Sequence, residues 1–260
     1  MISSFEMRIC SLSQNRCEKI NEKRGYKMNK IGIIGAMDEE VAALKKDMTV
    51  TSTKTLASME FFEGTLQGKD VVVVRSGIGK VNAAVCAEIL AGIYNVDAII
   101  NTGIAGSLNS KINIGDIVIS SDVLHHDMDA TGFGYPLGQI PRMEVLSFTA
   151  DKTLIDIAGK VCHQVNPEIE THVGRIVSGD QFISDKTVKA HIIENFQGFC
   201  TEMEGAAIAQ TAYLNNIPFV ILRAISDKAD DSATEDYPSF EKKAIAHSVN
   251  LVNGILQNIN

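Results

Sequence analysis

The sequence predicts an α/β fold: a mainly parallel or mixed sheet with helices on both faces. Three observations carry this expectation. From residue 31 onward, strand-like and helix-like segments alternate. Segments such as VVVV (71–74) and PFVILRAIS (218–226) are runs of β-branched and aromatic residues, the composition of buried strands. Glycine-rich turns follow three of the strands, at Gly32-x-x-Gly35, Gly77-Ile78-Gly79-Lys80 and Gly103-Ile104-Ala105-Gly106.

The elements follow in order. IGIIGA (31–36) is the first strand, and Asp38-Glu39-Glu40 opens a helix over 38–47. Acids favour the positive end of a helix macrodipole, so Asp38 and Glu39 are expected to face solvent. FFEGTLQG followed by KDVVVVRSG reads as a hairpin turning at 67–70, with its second strand at 71–76. A helix is expected at 80–93 and strands at 97–102 and 115–120. Segments 103–113 and 121–148, rich in Gly, Asp and aromatics, are candidate binding loops. Helices at 151–164 and 186–195 flank a strand at 171–178. Glu202 and Glu204 bracket Met203 where a strand hands over to an apolar helix, 204–214. The strand 218–225 leads to Asp227, and a helix at 239–257 closes the chain.

Length and charge narrow the function classes. The 260 residues suit one domain over 28–260. A net charge of -8 argues against a nucleic-acid partner, which needs a basic face. No apolar run reaches the roughly 18 residues that span a bilayer. Five cysteines, odd in number and widely spaced, fit reduced thiols in the cytoplasm. Residues 1–27 carry six Lys/Arg against three Glu with no persistent period, and read as a disordered tail or a start-site extension. They lack the apolar centre of a signal peptide.

The glycine turns could cradle a phosphate, but tight strand-to-helix turns are the better reading, since neither GxGxxG nor GxxxxGK[ST] occurs. His125-His126-Asp127 with Asp129 suggests a metal, yet adjacent residues of an extended strand point to opposite faces. Structural hydrogen bonding is preferred there, so no metal is expected. The acids are more telling. Open α/β sheets bind ligands at the carboxyl ends of their strands. Asp227 and the cluster Asp38-Glu39-Glu40 both sit at such ends, which suggests general acid and base work on a neutral substrate.

Eight blocks then carry a family resemblance: IGIIGAMDEEVAAL, RSGIGKVNAA, NTGIAGSL, GDIVIS, HHDMDATGFGYPLGQIP, VSGDQFIS, TEMEGAAIAQ and RAISDKAD. Together they resemble the 5′-methylthioadenosine/S-adenosylhomocysteine nucleosidases of the purine nucleoside phosphorylase and uridine phosphorylase superfamily, in order from Met28 to the C-terminus. The resemblance implies a three-layer α/β/α sandwich around a central twisted mixed β-sheet, usually homodimeric and without a cofactor. It implies Glu40 as general base for water and Asp227 as general acid for the departing adenine. Glu204 would hold the ribose hydroxyls and Met203 would pack on the sugar. Phe182 would stack on adenine, whose edge the Ile183 backbone would read. Ser226 would support Asp227, with Arg223 a nearby polar support. Met37, Ile78, Phe133, Pro141 and Phe240 would form the apolar 5′-thioalkyl pocket, with Tyr237 competing for the place of Phe240. Tyr135 and the loop 133–141 would reach the neighbouring subunit's site. Ile104 stands where some members have serine.

The implied chemistry is coherent. Breaking an N-glycosidic bond builds positive charge on the ribose and negative charge on the base. A carboxylate relieves the first and a proton donor the second. A donor aspartate must keep its proton near neutral pH, so Asp227 is expected in a desolvated place. Glu202 reads as an ion-pair partner. Two rivals share the fold: a nucleoside phosphorylase and a nucleoside-binding scaffold without turnover. The acidic loop 36–40 would repel phosphate, and the full set of carboxylates disfavours the scaffold.

Overall fold

A computed structural model describes residues 28–230 and 233–259. The expectation for residues 1–27 lies outside the described residues. In chain order the elements are β1 (Lys30–Gly35), α1 (Asp38–Asp47), β2 (Thr49–Leu56), β3 (Met59–Leu66), β4 (Lys69–Arg75), α2 (Lys80–Gly92), β5 (Ala98–Ser107), β6 (Ile117–His125), β7 (Phe148–Thr149), α3 (Lys152–Val165), β8 (Thr171–Ser178), α4 (Lys186–Phe196), β9 (Cys200–Glu202), α5 (Gly205–Asn215), β10 (Phe219–Asp227) and α6 (Ala233–Asn258).

Parallel pairing of β4, β1, β5 and β10 forms the spine of a mixed sheet. Each of these strands buries both faces, which is why they read as unbroken apolar runs. Ile31, Ile33, Val71, Val73, Val220 and Leu222 face a core shared with α1, α3 and α6. Ile34, Val72, Val74, Ile99 and Ile221 face the opposite core, shared with α2 and α5. The result is three layers. α4 covers a smaller cluster through Ile192 and Phe196, against Leu124 and Val177.

Beyond β5 the sheet does not stay open. β10 pairs antiparallel with β6, β6 parallel with β8, β8 parallel with β9, and β9 antiparallel with β5. Five strands therefore close a ring. Register shifts between Ser120 and Val123 and between Ile225 and Asp227 help to bend it, since an extra residue kinks and twists a strand.

Several boundaries differ from the sequence reading. β2 was not expected: TVTSTKTL is polar, mostly exposed and, among the described residues, pairs along one side with β3, so no apolar period announces it. Gly103 and Gly106 lie inside β5, not in a turn, and residues 121–125 belong to β6. α6 begins at Ala233, ahead of the expected 239.

Candidate active site

β1 runs into α1 through Ala36 and Met37. Glu40 is the third helical residue, and its Oε2 accepts from the Ala36 and Met37 amides at 2.6 and 3.0 Å. That is the acidic half of a capping box, enough by itself to hold a glutamate there. Capping leaves Oε1 for other work. It accepts from the Ile104 amide at 3.3 Å and lies against Gly103, where a Cβ would come within 2.7 Å of it. Burial raises the Glu40 pKa, and the opposing pull of Arg223 and the amides does not cancel it. Asp38 and Glu39 are exposed, as the helix-start argument expects.

A second group of charges is assembled where β9 meets α5. Arg223, only 1% exposed on β10, bonds Glu202 Oε2 and Asn101 Oδ1, the latter at 2.6 Å. Asn101 in turn donates to the Ile34 carbonyl at 2.9 Å. Glu202 also accepts from Ser178 Oγ and from the Glu204 and Gly205 amides at 3.1 and 2.7 Å. Burial works against its charge, but Arg223, Ser178 and Gly205 prevail and lower its pKa. Glu204 is the opposite case. Burial, then the neighbouring Glu202, pushes it up to about 7 despite Arg223 and a 2.9 Å bond from the Gly79 amide. One glutamate is thus fixed as an anion, and the other titrates near neutrality.

The bulge in β10 sets two adjacent side chains, Ser226 and Asp227, on the same cavity. Asp227 is 2% exposed. Its Oδ2 accepts from Ser226 Oγ at 2.8 Å and its Oδ1 from the Ala229 amide at 2.7 Å. Gly106 makes the room: a Cβ there would lie 2.7 Å from Oδ1. The glycines of the GIAG segment therefore clear space for two carboxylates on one strand.

The cavity, about 430 Å³, gathers most of the residues singled out in the sequence. Met37, Glu40, Ile78, Phe182, Ile183, Met203, Glu204, Ser226 and Asp227 line it. Arg223 lies beneath the wall. Tyr237 lines it where Phe240 was expected: Phe240 is 39% exposed and does not line the cavity, whereas Tyr237, three residues earlier, stacks edge-on against Phe182 at 6.1 Å. Phe133, 87% exposed, Tyr135 and Pro141 stand away from the cavity of their own chain. Among the described residues no Lys or Arg lines it. Ser178, Asn101 and the Gly79 amide escaped the sequence reading; a backbone donor carries no side-chain signal.

The His125-His126-Asp127 segment does not gather as metal ligands. His125 Nε2 meets Gln210 Oε1 at 3.1 Å, and Asp127 pairs with Lys80 at 2.6 Å.

Residues 30–257 match the profile of the Phosphorylase superfamily. The chain is 45% identical over 230 residues to the 5′-methylthioadenosine/S-adenosylhomocysteine nucleosidase of Halalkalibacterium halodurans, covering 88% of this chain and 98% of that relative. The chain belongs to this nucleosidase family. Among solved structures, the family member from Colwellia psychrerythraea in complex with adenine superposes with a TM-score of 0.86 at 39% identity, covering 90% of this chain and 97% of that one. The nucleosidase from Neisseria meningitidis in complex with methylthio-immucillin-A gives 0.85 at 38%, covering 88% and 99%. The layered mixed sheet expected from the resemblance is thus the nucleosidase fold.

Proposed function

We propose that this nucleosidase hydrolyses the N-glycosidic bond of 5′-methylthioadenosine and S-adenosylhomocysteine, and of 5′-deoxyadenosine, releasing adenine and the 5-substituted ribose. One observation carries the reading: two buried carboxylates, Glu40 and Asp227, open onto one cavity whose described walls hold no cation. Both pack against β5, Glu40 at Gly103 and Asp227 at Gly106. An acid and a base on one cavity can divide the work between the attacking water and the leaving group, as paired carboxylates do in glycosidases.

Glu40, with one oxygen tied to amides and the other facing the cavity, takes the proton of the attacking water. Burial raises its pKa, which makes the ionised form a stronger proton acceptor. Asp227 gives its proton to the imidazole nitrogen of the leaving purine, and Ser226 orients its carboxyl group. Glu204 accepts the ribose hydroxyls, Met203 packs on the sugar, Phe182 stacks on the base and the Ile183 backbone reads its edge. Arg223 acts at one remove by holding Glu202 charged. Met37, Ile78 and Tyr237 receive the 5′ substituent. Phe133, Tyr135 and Pro141 complete the same pocket in a second copy of the chain, making the working unit a homodimer. No metal or cofactor is needed for these steps. No described helix is long and apolar enough to cross a membrane, and we place the enzyme in the cytoplasm.

The test is adenine release from each nucleoside with and without phosphate. Free 5-thioalkyl ribose in phosphate buffer is the expected product. Ribose 1-phosphate, or a rate proportional to phosphate, would transfer the chain to the phosphorylases.

A further inference from the structure

Two sequence motifs have no part in the chemistry above: the lysine of Gly77-Ile78-Gly79-Lys80 and the aspartate of His125-His126-Asp127. In the fold they meet. Lys80 Nζ lies 2.6 and 2.8 Å from the two Asp127 oxygens, and the side chains keep only 20% and 18% of their exposure. Asp127 Oδ2 also accepts from the Asp180 amide at 3.0 Å, and Asp180 Oδ1 accepts from the Lys80 amide at 2.8 Å. The triangle ties together the segments that follow β4, β6 and β8. Two of them supply cavity wall: Ile78 on one side, Gln181, Phe182 and Ile183 on the other.

The residue before Lys80 connects this triangle to the sugar site. Gly79 has φ 96°, a left-handed conformation suited to glycine, and its amide donates to Glu204 Oε1 at 2.9 Å. α2 has no acid in its own first turn. Its leading amides are satisfied from outside, by Glu204 and Asp180, which is where a helix N-terminus favours negative charge.

We infer that Lys80, Asp127 and Asp180 form a clamp that positions the Gly79 amide on Glu204 and thereby sets the affinity of the cavity for ribose hydroxyls. The inference rests on the ribose role proposed above for Glu204. Five influences bear on that carboxyl: burial, Glu202 and Glu40 favour its neutral form, whereas Arg223 and the Gly79 amide favour the anion. Arg223 is locked to Glu202, so the amide is the adjustable member. If it withdraws, Glu204 keeps its proton to higher pH and accepts hydroxyls less well. Lys80 is therefore a positioning residue.

Steady-state adenine release across pH, alongside thermal unfolding, tests this with Lys80→Met, Lys80→Arg and Asp180→Ala. Lys80→Met should raise KM about tenfold, the worth of one charge-assisted hydrogen bond, with kcat little changed. The acidic limb of kcat/KM should move to higher pH. Lys80→Arg should restore most of both. Asp180 is exposed, so Asp180→Ala keeps the protein folded and the Lys80–Asp127 pair intact. It should move both readouts in the same direction by less, and it decides the matter if Lys80→Met does not fold. An unchanged KM and acidic limb in the folded variants, with only a lower melting temperature, would overturn the clamp. Absence of adenine release from the unaltered chain is a different failure: it removes the proposed function and with it the ribose role on which the clamp depends.

Discussion

Replacing Arg223 by methionine tests how the charges under the cavity are balanced. Arg223 is 1% exposed and its guanidinium bonds Glu202 and Asn101. Methionine keeps the length and apolar bulk of the side chain but leaves the Glu202 carboxylate buried with Ser178 and two amides for company. Removing one partner of a buried pair costs about 3–5 kcal/mol, because the other charge stays desolvated. For a domain of this size, ~2–4 °C accompanies each kcal/mol, so the melting temperature should drop by roughly 6–20 °C at neutral pH. The sign of the pH dependence follows from the causes acting on Glu202. With Arg223 present its folded pKa is lowered, so it stabilises above its unfolded pKa and that contribution is lost on acidification. Without Arg223, burial dominates and the folded pKa rises above the unfolded one. The deficit of the variant should therefore be largest at neutral pH and shrink toward about pH 4–5. Thermal unfolding followed by circular dichroism over that range reads it directly. Adding Glu202→Gln to Arg223→Met should recover at least half of the loss. A cost under about 1 kcal/mol, or no recovery in the double variant, would refute the idea that Arg223 exists to neutralise Glu202.

Other outcomes bear on the chemistry itself. Asp227→Asn should lower kcat by about 10²–10⁴-fold while calorimetry still detects nucleoside binding; near-normal adenine release would reject Asp227 as the acid. Glu40→Gln keeps the helix-capping oxygen and should bind substrate yet lose most of the rate; a normal rate would point to another base. Gly103→Ala puts a methyl group 2.7 Å from Glu40 Oε1 and should depress kcat more than it raises KM, a split that steady-state kinetics resolves. In the unaltered chain, kcat/KM should fall as pH drops below about 7, where Glu204 takes up its proton, and Glu204→Gln should leave only the limb set by the base Glu40.

The residues that proved legible in the sequence are those whose position is fixed by the strand that precedes them. Asp227 closes β10 and the cluster Asp38-Glu39-Glu40 follows β1, so an apolar run ending in acids was enough to bring both to the cavity's edge, whereas the choice of Glu40 within the cluster came from the family resemblance. Reading Glu202 as an ion-pair partner also succeeded, since a second acid beside Glu204 needs a neutralising neighbour. Other features depended on contacts that no local pattern records. The choice between Tyr237 and Phe240 turns on which side of the first turns of α6 meets the cavity, and three residues of helix are not quite one turn. GIAG looked like a turn because glycine usually signals one; here its missing side chains admit carboxylates from two other elements. β2 was invisible because an exposed edge strand has no apolar face to reveal its period.

The ring closed by β10 has a consequence for biosynthesis. β5 is buried along all ten residues, yet on one side its partner over residues 99–106 is β10, more than a hundred positions further along the chain. Until ribosomal synthesis reaches Phe219–Asp227, that side of β5 lacks this partner, and Arg223 and Asp227 have not been made. Pairing over such sequence distances is slow, and an open apolar strand edge invites association with other nascent chains. The catalytic centre therefore matures in one late step, when the final strand slots in, and chains stopped before residue 219 should be both inert and prone to aggregate.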